Sequence, residues 1–255
     1  MLTTLTFDLW DTLVTDDSDE PKRAAHGLGS KYQTRRQLAH KALIADGCSV
    51  DRREVDRAYD VADTAFQHCW KGYAITWTLE ERLRVLLRGL GASLSPAAFD
   101  HLLHDTARME VEIPPDPLPG VHAALAELAK HYNLTIASDA IFTPGVQLRE
   151  LLARHELDRY FTAFAFSDEI GRAKPHAAMF DHIAEATGSD FPGMLHVGDR
   201  QHNDVAGPQE LGMKAVLFVG ARSKDRPGTT ADAVCENLSE LPGIVRALDA
   251  APVTE

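Results

Sequence analysis

Cysteine is scarce in this chain. Three residues, Cys48, Cys69 and Cys235, are spread over 255 positions, and no Cys-x-x-Cys pair occurs. An odd number of widely spaced cysteines argues against a disulfide framework, and the missing pair argues against a zinc knuckle. We therefore expect a protein that works in a reducing cytoplasm.

Long hydrophobic runs are missing as well. No stretch approaches the ~20 consecutive apolar residues of a transmembrane helix, and residues 1–8 lack the basic region and apolar run of a signal peptide. The sequence therefore predicts neither a membrane span nor an export signal.

Positive charge is in deficit. Lysine and arginine total 26 against 38 aspartate and glutamate residues, so the formal net charge is −12. Such a field repels nucleic-acid phosphates and anionic membranes, so we expect neither as a partner. A small anionic substrate is compatible with it only where lysine, arginine or a metal ion cancels the field locally. The composition leaves open whether the protein is a monomer or a homodimer.

With 44% hydrophobic and 25% charged residues, the composition is typical of a globular protein. The spacing of apolar residues changes twice along the chain. Alternating Leu5, Phe7 and Leu9 predict a strand that ends in a polar turn. Amphipathic helical patterns follow and predict a small bundle. The four helices are expected to begin near Tyr32 and behind the N-cap residues Asp51, Thr78 and Ser95.

A proline cluster at residues 113–120 ends the helical series. Beyond it strand and helix patterns alternate, with strands predicted at residues 134–138, 163–166, 194–198 and 215–219. Alternating β and α elements favour a parallel sheet. We therefore predict an α/β protein with a Rossmann-like parallel sheet core, formed by residues 1–14 and 112–255, and an inserted α-helical domain at residues 15–111.

Polar residues stand at the carboxyl ends of the predicted strands. Asp8 follows the first strand, Ser138 ends the second and Asp199 follows a third, with Asp204 five residues further on. Lys174 lies in a loop before the Asp199 strand. In a parallel sheet these ends meet at one edge, and carboxylate ligands without histidine or cysteine favour Mg²⁺ over zinc.

Four ordered segments of the sequence resemble the haloacid dehalogenase superfamily of aspartate-nucleophile hydrolases. By this resemblance, residues 15–111 form the mobile helical cap of that family. An isolated Asp-x-x-x-Thr motif would be a weak signal, whereas the ordered set is specific. The segments are Phe7-Asp8-Leu9-Trp10-Asp11-Thr12-Leu13, Ala137-Ser138-Asp139, Lys174-Pro175 and Gly198-Asp199-Arg200-Gln201-His202-Asn203-Asp204.

The resemblance implies covalent phosphoryl transfer. Asp8 would attack phosphorus to form an aspartyl phosphate that water hydrolyses, while Ser138 and Lys174 would hold the phosphoryl oxygens. Thr12 is expected to stabilise the nucleophile loop, and Trp10 and Thr12 are both expected on the substrate side of that loop, unless Trp10 only lines the interface with the cap. The implied function is the removal of phosphate from a small phosphorylated metabolite by a Mg²⁺-dependent hydrolase.

The resemblance also implies a metal site and exposes one departure. The ligands of Mg²⁺ would be Asp8, Asp199, Asp204 and the carbonyl oxygen of Trp10. Phosphatases of the family usually carry a second aspartate, the general acid, where this chain has Trp10, and an indole cannot titrate. We name Asp11 as one candidate to replace that acid.

Two alternatives to the phosphatase stay open, and one further residue competes with Asp11 for the proton transfer. Dehalogenases of the family carry an aromatic residue at the position of Trp10, so a metal-free enzyme that attacks carbon through Asp8 is one alternative. In the metal-free dehalogenases of the family, the pair of acidic residues at the positions of Asp199 and Asp204 is usually not intact, whereas both aspartates are present here. The second alternative is a pseudoenzyme that binds a phosphorylated ligand without turnover. For the missing general acid, His202 is the second candidate beside Asp11.

Further residues have structural and functional interpretations. Arg35 and Arg36, on the first helix of the inserted segment together with Lys31, are expected to bind a second anionic group of the substrate, unless all three form a solvated basic face. Trp70 is expected in the core of the helical bundle, and His196 in the core of the sheet.

Overall fold

The computed structural model describes residues 1–250, and six strands there form one fully parallel sheet with the order β3-β2-β1-β4-β5-β6. The α/β fold is confirmed, and each predicted strand is present. The additional strand β6 has three residues, too few for a recognisable alternation. The strands are β1 (Thr4–Phe7), β2 (Asn133–Ser138), β3 (Phe161–Phe166), β4 (Met194–Gly198), β5 (Lys214–Phe218) and β6 (Ala233–Cys235).

Helices fill most of the remaining chain. Ser95 caps one of the predicted helices, and Ser30, Asp51 and Thr78 form reciprocal capping boxes at the other three. No helix within residues 1–250 combines the length and the apolar character needed to span a bilayer. The α-helices are α1 (Glu20–Ala25), α2 (Lys31–Ala45), α3 (Arg52–Tyr73), α4 (Leu79–Gly89), α5 (Pro96–Ala107), α6 (Met109–Glu112), α7 (Val121–Leu128), α8 (Gly145–Arg154), α9 (Ser167–Ile170), α10 (Ala178–Thr187), α11 (Gly207–Glu210) and α12 (Leu241–Ala250).

The sheet and the helical segment bury separate hydrophobic clusters. One cluster packs the sheet residues Leu5 and Phe7 against flanking helices. The buried residues of another all lie between residues 39 and 107 and include Leu43, Leu83 and Phe99. Since each part buries its own apolar surface, we propose that residues 15–111 form the cap and that residues 1–14 and 112–250 form the core; residues 251–255 of the predicted core lie outside the described residues.

The two chain crossings between core and cap run side by side. The Thr15 amide donates to the Asp116 carbonyl oxygen at 2.9 Å, and the Leu118 amide donates to the Leu13 carbonyl oxygen at 2.8 Å. Lys31, the first residue of α2, is buried at this junction, where its ammonium contacts Glu110 at 2.8 Å. Lys31 therefore does not belong to a solvated basic face.

The strand order explains where the polar residues converge. β1 lies between β2 and β4, with Phe7 opposite both Ile136 and Val197. Asp8, which follows β1, and Ser138, which ends β2, therefore lie at the carboxyl ends of adjacent strands.

Candidate active site

Three buried carboxylates meet at the carboxyl edge of the sheet. Asp8, Asp199 and Asp204 each offer an oxygen, and these oxygens lie within 4.8 Å of one another. A Cβ atom at Gly198 would overlap the side chain of Asp204, so only glycine allows this approach of strand β4 and the following turn. Together with Lys174, these three aspartates form what we call the sheet-edge cluster.

Lys174 is the cation of this cluster. Its Nζ lies 2.7 Å from Asp8 Oδ1 and 2.6 Å from Asp204 Oδ1, and the residue is 3% exposed. Burial alone would lower the pKa of Lys174, but the adjacent carboxylates of Asp204 and Asp8 raise it above its usual value. The ammonium group therefore stays charged at neutral pH.

Asp204 is the most strongly bound carboxylate of the cluster. It accepts from Lys174 and lies 3.1 Å from His196 Nε2, and its Oδ2 accepts from the Arg200 amide at 2.9 Å. Although burial opposes ionisation, Lys174 and His196 hold the pKa of Asp204 below its ordinary value. Because an ionised carboxylate only accepts hydrogen bonds, the proton of the imidazole ring lies on Nε2. His196 is thus a core histidine, as expected, that also contacts the site.

Asp199 has the opposite shift. Burial, together with the charges of Asp8 and Asp204, raises the pKa of Asp199 to about 7. The cluster thus holds more negative charge than Lys174 can balance. A donor set of carboxylate oxygens with excess negative charge fits Mg²⁺, which prefers hard oxygen ligands.

Two hydroxyl groups near the carboxyl edge are buried without a partner. Ser138 and Thr12 are both fully buried, and among residues 1–250 neither side-chain oxygen has a hydrogen-bond partner. Unpaired buried hydroxyls are rare because they cost free energy. Ser138, which ends β2 beside Asp8, is therefore available to a ligand of the cluster.

The turn after the nucleophile position holds Trp10 and Asp11 differently. Trp10 is half-buried and packs against the hydrophobic cluster of the sheet. Asp11 has φ +52°, a left-handed conformation that aspartate tolerates, and its Oδ1 accepts from the Asp16 amide at 3.0 Å. The Asp11 carboxylate is therefore occupied by the segment that leads to α1. His202, the other candidate for the general acid, is exposed.

Sequence reasoning missed Asp139 as a junction of the site. Its Oδ1 accepts from the Lys174 amide at 2.9 Å, and its Oδ2 accepts from Trp70 Nε1 and Asn203 Nδ2, each at 3.2 Å. Burial raises the pKa of Asp139 to about 6, although the charge of Lys174 opposes this shift. Trp70 is thus a half-buried link from the cap to the core rather than only a core residue of the bundle. The available signal was the position of Asp139 directly after Ser138.

The two cap arginines lie in different environments on a cavity of about 540 Å³ that Trp70 also lines. Arg36 is 2% exposed, and its guanidinium pairs with Asp60 at 2.7 Å. Arg35 lies over the Phe142 ring at 3.6 Å and has no carboxylate within 4.0 Å in residues 1–250. The charge of Arg36 is already paired, which argues against the substrate-binding role expected from sequence, whereas that of Arg35 is not.

Comparisons with known proteins agree with this geometry. Glyceraldehyde 3-phosphate phosphatase of Pyrococcus abyssi is 29% identical over 222 residues, which cover 86% of this chain and 82% of that protein. Ribulose-1,5-bisphosphate 5-phosphatase of Halopiger xanaduensis is 28% identical over 96% of this chain and 100% of that protein.

The fold resembles solved structures of two kinds. A 2-haloacid dehalogenase from Pseudomonas syringae pv. Tomato DC3000 matches with a TM-score of 0.66 at 22% identity, over 97% of this chain and 100% of that chain. A HAD phosphatase from Thermococcus onnurineus matches with a TM-score of 0.63 at 22% identity, over 96% and 98%. A sequence model of the haloacid dehalogenase-like hydrolases matches residues 2–212. The chain therefore belongs to the haloacid dehalogenase-like hydrolases.

Proposed function

We propose that this protein is a Mg²⁺-dependent phosphatase that acts on a small phosphorylated metabolite in the cytoplasm. The observation that carries this proposal is the sheet-edge cluster, in which a buried lysine contacts two of three convergent carboxylates. The phosphatase names of the Pyrococcus abyssi and Halopiger xanaduensis relatives support the same class of substrate.

Asp8 acts as the nucleophile. One of its carboxylate oxygens attacks phosphorus, the bond from phosphorus to the substrate oxygen breaks, and the leaving alcohol takes up a proton. Water then attacks the aspartyl phosphate at phosphorus, which releases phosphate and restores the carboxylate. Lys174 and the hydroxyl of Ser138, which has no hydrogen-bond partner in residues 1–250, bind the phosphoryl oxygens, where charge is spread in the transition state.

The carboxylates of Asp8, Asp199 and Asp204, with the carbonyl oxygen of Trp10, would hold the metal ion. When bound, Mg²⁺ supplies positive charge that lets a phosphate dianion approach the acidic cluster. Lys174 holds the carboxylates of Asp8 and Asp204 in place for this purpose, because its ammonium contacts an oxygen of each.

This site lacks the aspartate that usually delivers a proton to the leaving group in phosphatases of the family. Trp10 cannot titrate, and Asp11 is engaged with the Asp16 amide. A positioned general acid contributes about 10²–10⁴ in rate, so we expect slow turnover of alkyl phosphates and faster turnover of aryl or acyl phosphates. Equal rates across these leaving groups would point to another proton donor, with His202 as the first residue to test.

The cavity beside Arg35 provides a second anion site. Among residues 1–250 the Arg35 guanidinium has no carboxylate partner, and it lies over the ring of Phe142, which belongs to a core loop. Substrates with a carboxylate or a second phosphate therefore fit better than those with one charged group. The Thr12 amide, which donates to the Leu9 carbonyl oxygen at 3.4 Å, supports the proposal that Thr12 stabilises the nucleophile turn, and we propose that Trp10 lies on the substrate side of that turn.

The decisive experiment measures phosphate and halide release from a panel of phosphoesters and 2-haloacids, in Mg²⁺ and in EDTA. We expect phosphate release that stops in EDTA. Halide release that persists in EDTA would instead establish the dehalogenase alternative, for which Trp10 is the favouring residue. Metal-dependent ligand binding without turnover of any substrate would identify a pseudoenzyme.

A further inference from the structure

Arg222 contacts a proposed metal ligand from outside the sheet-edge cluster. It lies in the loop between β5 and β6, and its Nη1 donates to the Asp199 carbonyl oxygen at 3.0 Å and to Asp199 Oδ2 at 3.1 Å. Asp199 is thus held at two atoms by one guanidinium nitrogen, which restricts the rotation of its side chain.

Asp225 holds this arginine in place. Its Oδ2 and Oδ1 accept from Arg222 Nη1 and Nη2 at 3.2 and 3.4 Å. The same Oδ2 accepts from the Gln201 amide at 3.1 Å, at the start of the turn that carries Asp204. The Arg222–Asp225 pair therefore bridges Asp199, the residue after β4, and Gln201, the first residue of the turn that carries Asp204.

The charge balance of the pair matters as much as its geometry. An isolated guanidinium beside Asp199 would repel a divalent cation, since like charges a few ångströms apart raise the free energy of binding. Asp225 compensates this charge at hydrogen-bond distance. The pair can therefore orient Asp199 without reducing the net negative charge that attracts the ion.

We propose that Arg222 is a positioning residue that fixes the Asp199 carboxylate for Mg²⁺ and that Asp225 both anchors and neutralises it. This inference rests on the proposed metal dependence. Partners that orient metal ligands are typically worth about 10–100-fold in metal affinity.

The test compares Mg²⁺ affinity of the full-length wild type, Arg222→Ala and the control Arg200→Ala, by isothermal titration calorimetry and by competition with Mn²⁺ followed by electron paramagnetic resonance. Arg200 is a matched control because it also lies beside Asp199, at 3.9 Å from Oδ1, without a hydrogen bond to that carboxylate. We expect about 10–100-fold weaker binding in Arg222→Ala. Arg200→Ala, which loses a charge but no orienting contact, should bind at least as tightly as wild type.

A nearly isosteric variant, Asp225→Asn, provides a second measurement if Arg222→Ala does not fold. It leaves the guanidinium uncompensated and should also weaken Mg²⁺ binding. Wild-type affinity in Arg222→Ala or in Asp225→Asn, or an equal loss in Arg200→Ala, would overturn the inference while leaving the proposed function intact. A wild-type protein that binds neither Mg²⁺ nor Mn²⁺ would overturn both.

Discussion

Two buried lysines in this protein are surrounded by carboxylates, yet the two clusters have different architectures. Lys174 belongs to the sheet-edge cluster. Lys31 lies at the cap junction with Asp16, Asp17, Asp19 and Glu110, all within 3.5 Å of its ammonium, and we call this group the linker cluster. At the sheet edge the carboxylate oxygens converge on one another, whereas within residues 1–250 those of the linker cluster form no comparable group of ligand atoms.

The comparison shows that an excess of acid does not by itself make a cation site. The linker carboxylates come from one irregular segment and a short helix, and what they share is proximity to the Lys31 ammonium. The sheet-edge carboxylates follow two adjacent parallel strands, so the sheet directs them toward a shared point. We infer that the linker cluster fastens the cap to the core and that the sheet-edge cluster performs the chemistry.

The largest expected effect is a difference in turnover between a variant of Asp8, the proposed nucleophile, and a variant of Asp17, a carboxylate of the linker cluster. Asp8→Asn should lower turnover by about 10⁴-fold or to background, because the amide cannot form the aspartyl phosphate. Asp17→Asn, in the linker cluster, should keep most of the activity. Steady-state phosphate release measures both, with circular dichroism as the folding control. Comparable losses in the two variants would contradict the division of roles.

A second pair of variants compares the lysines by stability. Lys31→Met leaves the linker carboxylates uncompensated and should cost about 3 kcal/mol of unfolding free energy, in the absence and in the presence of Mg²⁺. Lys174→Met should also be destabilised in EDTA, but Mg²⁺ binding should recover much of that loss.

Urea denaturation with and without Mg²⁺ measures this difference between the lysines. The slope of free energy against urea concentration should stay constant, since neither change alters the surface exposed on unfolding. If Mg²⁺ restored Lys31→Met as well as Lys174→Met, the linker cluster would itself be a cation site.

The two cap arginines sharpen the comparison on the substrate side. Arg35→Ala should raise KM about tenfold for substrates with a second anionic group and leave KM for singly charged substrates unchanged. Arg36→Ala breaks the pair with Asp60 and the contact with the Tyr32 ring at 3.3 Å, so it should lower stability instead. Uniform kinetics of Arg35→Ala across the panel would return that residue to a structural role.

A further expected effect is a pH dependence of stability in the metal-free protein. With the pKa of Asp199 raised to about 7 from an ordinary value of 3.8, the folded state holds a proton that the unfolded state releases between these pH values. Stability should therefore fall as pH rises through this window, by at most about 1.4 kcal/mol per pH unit, and this contribution should level off above pH 7.

The variant Asp199→Asn isolates the contribution of Asp199 to the pH dependence of stability. Asp204, whose folded pKa is lowered, contributes a slope only at the acid end of this range, near its ordinary value of 3.8, and it is present in both proteins. Asp139, whose pKa is raised to about 6, contributes to both proteins and cancels in the difference. Denaturation in EDTA from pH 4.5 to pH 8 should show a steeper decline for wild type than for Asp199→Asn, and parallel curves would contradict the shift.

Much of the secondary structure was determined by local sequence. Alternation of Leu5 and Phe7 predicts β1, and capping residues such as Asp51 and Thr78 mark helix starts, because these signals act within a few residues. The order of strands and helices then predicts that Asp8, Ser138 and Asp199 share one edge, since a parallel sheet aligns the ends of its strands.

Only the tertiary structure decided the partners across long separations. Trp70 reaches Asp139 across 69 positions, and Arg222 reaches Asp199 across 23. Likewise, the exposure of neighbouring Arg35 and Arg36 differs because α2 turns one toward Asp60 and the other toward the core loop. Charge and spacing along the chain predict which side chains can interact, but packing between cap and core selects the pairs that form, because it sets the distances on which these contacts depend.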